Sequence, residues 1–123
     1  MKLNTIRLFV SDLVAARDFY ASALGLPLKA DGGEYGYCVF DAGGCTLVVE
    51  AVAADAPPDD LQLVGRFTGL SFEVADIDAV YDTLRGRGVV FAASPERQGW
   101  GGTVATLRDP AGNELQIYAW SRA

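Results

Sequence analysis

Val10-Ser11-Asp12-Leu13 recurs as Val74-Ala75-Asp76-Ile77, and Ala15 and Asp18 recur as Ala79 and Asp82. One shift of 64 residues relates every pair, so the chain reads as two copies of one unit. In each copy the shared aspartate (Asp12, Asp76) follows an alternating apolar run and precedes apolar residues at helical spacing. That is where a helix N-cap belongs.

Outward from Asp12, residues 5–10 alternate as a strand, and a helix begins at Leu13. Val14, Phe19, Tyr20, Ala23 and Leu24 share its apolar side, and Gly25 ends it. Strands are expected around 26–29, 35–40 and 46–50, separated by the glycine turns Asp31-Gly32-Gly33 and Asp41-Ala42-Gly43-Gly44. Outward from Asp76, a strand covers 70–74, and a helix presents Ile77, Val80, Tyr81 and Leu84 before stopping at Gly88. Strands follow near 89–92, 103–107 and 114–118. Asp109-Pro110-Ala111-Gly112 joins the last two, with proline and glycine where a type I turn prefers them.

The fold class is therefore α+β: two tandem βαβββ copies, about 1–52 and 66–123, in one domain over residues 1–123. An acidic loop, 53–65, joins them; it carries Pro57-Pro58-Asp59-Asp60 and shows no periodicity. We expect it to be exposed, and long enough to flex or to cross to another subunit.

Composition narrows the function. The 123 residues are 50% hydrophobic and 21% charged, which argues for a folded chain with a sizeable core. Sixteen acidic residues against ten basic ones give a net charge of −6, which disfavours nucleic acid and anionic lipid as partners. No apolar run approaches a membrane span, and the N-terminus lacks a secretory pattern, so a cytoplasmic location is expected. Cys38 and Cys45 read as two small buried thiols. The absence of histidine excludes histidine-dependent triads, bases and metal sites.

Strand parity separates two faces. Ile6, Leu8 and Val10 oppose Thr5, Arg7 and Phe9; Leu70, Phe72 and Val74 oppose Gly69, Ser71 and Glu73; Leu115 and Ile117 oppose Glu114, Gln116 and Tyr118. Leu47 and Val49 oppose Thr46, Val48 and Glu50. The apolar sets await the two helices. The mixed face either meets water, as one side of an antiparallel sheet can, or forms a cleft of polar groups and aromatics.

The duplicated units, with Val10-Ser11-Asp12-Leu13 followed by Arg17-Asp18-Phe19-Tyr20 and Leu24-Gly25-Leu26, resemble the glyoxalase / bleomycin-resistance / extradiol-dioxygenase superfamily, the vicinal oxygen chelate fold. Asp109-Pro110-Ala111-Gly112-Asn113 and Phe72-Glu73-Val74 are similar to its later motifs. The resemblance implies a curved mixed sheet around a cavity, helices on the outer face, and a homodimer. It also implies where a metal would be held in members that have one: Thr5, Gly69, Gln116 and Val48, with Glu50 two residues beyond Val48. Only Glu50 and Gln116 could donate there, so no metal and no cofactor are expected.

The expected function is metal-independent binding of a small organic ligand, cationic or aromatic, as in antibiotic sequestration. The alternative is a lyase, isomerase or dioxygenase of the same superfamily with an atypical metal site or none, using Glu50 or Glu73 as its catalytic residue. The ligand-binding candidates are Thr5, Arg7, Phe9, Glu50, Ser71, Glu73, Trp100, Gln116 and Tyr118. Arg7 and Glu73, on equivalent strands with matching parity, could pair as ions or divide a ligand's charges between them. Glu50 is either a solvated carboxylate or a buried acid with a raised pKa. Trp100, between Gly99 and Gly101-Gly102, would pack over a cavity rim or interface, or stack on a planar ligand. Tyr35, Tyr37 and Trp120 stay open between core and pocket wall.

Overall fold

A computed structural model describes residues 1–120; the last three residues of the second expected copy lie outside it. The strands form two four-stranded mixed sheets, one per copy. The first contains β1 (Thr5–Val10), β2 (Leu28–Gly32), β3 (Tyr37–Asp41) and β4 (Thr46–Ala51) in the order β1-β4-β3-β2. β1 and β4 run parallel, and the other neighbours are antiparallel. The helix α1 (Leu13–Asp18) is capped by Asp12, whose carboxylate accepts the Ala15 N–H at 3.1 Å.

The expected single helix to Gly25 is corrected here. α1 stops at Asp18, and a π-helical turn takes Phe19–Ala23. The Leu24 N–H reaches back to the Phe19 carbonyl at 3.0 Å. This wider turn still buries Phe19 and Tyr20, whose rings meet edge to face at 4.9 Å. With Ala16 they cover a core of Leu8, Val10, Cys38, Phe40, Leu47 and Val49. Cys45 is only half-buried, unlike Cys38.

The second sheet contains β5 (Phe67–Glu73), β6 (Val90–Arg97), β7 (Gly102–Arg108) and β8 (Glu114–Trp120) in the order β5-β8-β7-β6. β5 and β8 are parallel, as β1 and β4 are. Asp76 caps α3 (Ile77–Gly86) through the Ala79 N–H, again at 3.1 Å. Ile77 and Leu84 of that helix are buried, along with Ala105, Leu107, Leu115, Ile117 and Ala119 of the sheet. Leu70, Phe72 and Val74 on β5 are half-buried.

The chain divides into two compact units: Met1–Arg66 with Pro110–Asn113, and Phe67–Asp109 with the segment from Glu114 on. The acidic loop thus belongs to the first unit. It holds a helical turn, α2 (Pro58–Leu61), and Val64 bridges in parallel to Phe9 of β1. Asn113 is fully buried in that unit. Its Oδ1 accepts the N–H groups of Gly65 at 2.8 Å and Arg66 at 3.2 Å, while its Nδ2 donates to the Phe9 carbonyl at 2.8 Å. Among the described residues no helix is long and apolar enough to cross a membrane.

Candidate functional site

On the polar face of the second unit, Trp100, Tyr118 and Trp120 form a three-ring cup. Trp100 and Trp120 stand 5.1 Å apart at 76°, and each lies 6.3 Å from Tyr118, also nearly perpendicular. This is the edge-to-face geometry that aromatic quadrupoles favour. The cup walls a cavity of about 330 Å³, completed by Ser71, Val104 and Gln116. Trp100 and Trp120 remain 53% and 61% exposed, so their ring faces are available.

Strand register builds this cup. Tyr118 and Trp120 sit two apart on β8 and share a face; Val104 pairs with Tyr118, and Gly102 pairs with Trp120. Trp100 comes from the short reversal between β6 and β7, where the Gln98 N–H donates to the Gly102 carbonyl at 2.7 Å. The polar floor is a chain across three strands. Ser71 Oγ donates to Gln116 Oε1 at 3.5 Å, and Gln116 Nε2 donates to Thr106 Oγ1 at 3.3 Å. A planar molecule could stack on the rings and meet Ser71 and Gln116 at its edge.

The first unit gathers a different set. Arg7, Phe9 and Glu50 line a hollow of about 520 Å³ with Ala51, Asp60 and Leu63. Arg7 and Glu50 form a two-pronged ion pair: Nε binds Oε2, and Nη2 binds Oε1 at 3.0 Å. The hydrogen bonds and charge of Glu50 push the Arg7 pKa above its ordinary value. The Arg7 guanidinium also lies 5.3 Å from the centre of the Phe9 ring.

The candidates therefore divide. Ser71, Trp100, Gln116 and Tyr118 come together in the cup; Arg7, Phe9 and Glu50 come together in the first unit's hollow. Thr5 lines neither of them. Glu73 lines a further hollow of about 320 Å³ with Val74, Ala75 and Trp120. The carboxylate that Arg7 engages is Glu50, on the strand adjacent to its own, and not Glu73, which one of the two readings of that pair offers. Glu50 is a carboxylate with both oxygens engaged by a guanidinium, a poor starting point for a base. Tyr35 is 79% exposed, and Tyr37 packs over Gly32. Val104 is the cup residue that sequence reading missed; Trp120, left open between core and pocket wall, lines the cup. Continuing the alternation of Gln116 and Tyr118 by one step reaches Trp120.

The metal expected in some superfamily members does not suit these residues. The implied positions hold Thr5, Val48, Gly69 and Gln116, which supply no imidazole and no carboxylate, and Glu50 beyond Val48 has both oxygens on Arg7. Among the described residues there is no group of three or more His, Cys, Asp or Glu placed to hold a metal.

The model of the Glyoxalase/Bleomycin resistance protein/Dioxygenase superfamily matches residues 2–117, and the chain belongs to that superfamily. Protein YraH of Bacillus subtilis (strain 168) is 35% identical over 125 residues, covering 96% of this chain and 98% of its own. A superfamily member from Sphaerobacter thermophilus DSM 20745 has a TM-score of 0.78 at 29% identity, with 97% of each chain covered. TnmS3, an antibiotic binding protein from Streptomyces sp. CB03234, has a TM-score of 0.77 at 28% identity, covering 98% of this chain and 97% of its own.

Proposed function

We propose that this protein is a cytoplasmic, metal-independent small-molecule-binding protein that sequesters a planar aromatic compound of the antibiotic kind. The observation that carries this reading is the cup of Trp100, Tyr118 and Trp120, three mutually perpendicular rings around about 330 Å³. Rings held edge to face leave their outer faces free to stack on a flat guest. The volume falls at the lower end of the range for ligand sites. The likeness to TnmS3 supports the same reading. Affinity would arise from stacking and from the Ser71–Gln116 hydrogen-bonding edge, with no chemical step.

Tryptophan fluorescence tests this directly, because two of the three rings are the protein's only tryptophans. Titration with planar aromatic antibiotics should quench both and raise the thermal midpoint, in the presence or absence of a chelator. Trp100→Ala and Trp120→Ala should each weaken binding about tenfold or more, since stacking on one ring is worth ~1–3 kcal/mol. Saturating ligand with no quench and no thermal shift across the panel would end the proposal, as would binding that vanishes with chelator. The same reading has the chain as a homodimer. β2 and β6 end their sheets and offer open edges, and light scattering should give twice the chain mass.

A further inference from the structure

The two units carry the same strand pairing, so each serves as a control for the other. Arg7 pairs with Val48 and Phe9 with Glu50; at the equivalent places Ser71 pairs with Gln116 and Glu73 with Tyr118. Each unit thus sets one carboxylate beside one aromatic ring, with the strands exchanged. In the first unit the carboxylate has its counter-charge built in, as the Arg7–Glu50 pair. In the second unit Ser71 stands where Arg7 would be, and Glu73 enters no ion pair among the described residues. On the same face Glu114 is already taken by Arg108 at 3.2 Å, and Glu96, opposite Val104, lines neither the cup nor the adjoining hollow.

Glu73 stands next to the cup. Its register partner is Tyr118, and Trp120 lines both the aromatic cavity and the hollow that contains Glu73. We infer that the ligand itself supplies the missing positive charge: the cup takes a planar aromatic system bearing a protonated amine or amidine-like group, which lies against Glu73 as Arg7 lies against Glu50. This rests on the cup being the ligand site and adds the charge class of its occupant. The electronegative faces of the three rings favour a cation in the same direction as the carboxylate. A bound ligand would also displace water from around Glu73, which strengthens the pairing relative to an open surface pair.

Two dyes on one ring frame test the charge separately from the stacking. Near neutral pH proflavine is a planar cation, and acridine is its uncharged counterpart. At low ionic strength the protein should bind proflavine about tenfold more tightly than acridine, the scale of one charge-assisted contact. Added salt should narrow that gap. Glu73→Gln should weaken proflavine far more than acridine and so remove most of the preference, with the thermal midpoint recorded to confirm folding. Equal affinity of the wild-type protein for the two dyes overturns the charge assignment and leaves the cup standing. Binding of neither dye overturns the cup, and this inference with it. A Glu73→Gln protein that loses both dyes equally also overturns the inference, since the residue would then act on the shape of the cup and not on charge.

Discussion

The six-membered ring of Trp100 occupies the space that a Cβ on Gly102 would need. The bare Cα lets the indole fold back over the start of β7 and face Trp120. Gly101, at φ +98°, makes the reversal that brings it there. Gly102→Ala should therefore push the ring away from Trp120. The circular-dichroism couplet of the two edge-to-face indoles should collapse, and affinity for a planar ligand should fall about tenfold, the worth of one ring stacked on a ligand. Because Trp100 is 53% exposed, unfolding free energy should change by less than about 1 kcal/mol. A variant that keeps the couplet would show that the ring does not depend on this glycine.

Asn113 holds together three backbone groups of the first unit: the Gly65 and Arg66 N–H groups and the Phe9 carbonyl. Asn113→Ala leaves all three without that partner; Asn113 itself is fully buried, whereas Gly65 and Arg66 are exposed residues. We expect a loss of about 2 kcal/mol in urea unfolding, since an orphaned buried group costs ~1–3 kcal/mol and solvent at Gly65 and Arg66 offsets part of it. A loss below ~1 kcal/mol would mean that the loop reseats itself on other partners.

The acid limb of stability should owe part of its slope to Asp31. The Gly33 N–H, and after it the Arg17 guanidinium, hold the Asp31 pKa below its ordinary value. A lowered folded-state pKa contributes stability above the unfolded value, and that contribution disappears as pH falls through the folded value. Asp31→Asn should flatten this limb of the urea midpoint against pH, while leaving the neutral region without further pH dependence. Arg7 acts in the opposite sense: its raised pKa contributes below the ordinary arginine value and is lost only in strong alkali, so it is silent across the acid range.

The two N-caps repeat one geometry, with Asp12 and Asp76 each accepting an N–H three residues on at 3.1 Å. Asp12→Ala and Asp76→Ala should each cost about 1 kcal/mol. Sharing no partner, they should add in the double variant, which thermal and urea unfolding can both check.

Much of the fold was legible because it is written twice. The capping aspartates and the 64-residue shift located both helices, and the limits of β1 follow from its alternation alone. The departures have local causes. The π-helical turn at Phe19–Ala23 keeps apolar residues at spacings that a regular helix also explains, so side-chain periodicity does not separate the two. β5 starts at Phe67, earlier than expected, because a register shift between Phe67 and Ser71 interrupts the alternation. β6 runs to Arg97 through two further shifts and across Pro95. The loop looked featureless because a single turn of helix and a one-residue bridge leave no period to detect.

At the site, parity identified which residues share a face, but not which strands are neighbours. Arg7 and Glu50 lie 43 residues apart, and only the β1–β4 pairing makes them partners. Stopping the last strand at Tyr118 left Trp120 undecided between core and pocket wall, although the same alternation carries it onto the face of Tyr118. Trp100 was visible as a large ring among glycines; that one of those glycines is its seat emerges only from packing.

Gly69, at the position equivalent to Thr5, has φ +75°. A histidine introduced there would have to adopt a left-handed backbone at a cost of roughly 1–2 kcal/mol, or flatten the bulge and shift the start of β5 against β8. A chelating side chain at this position would therefore require a change of backbone as well as of residue. The bend thus acts as a steric veto written into the main chain, deciding which side chains this position can carry before any ligand is considered.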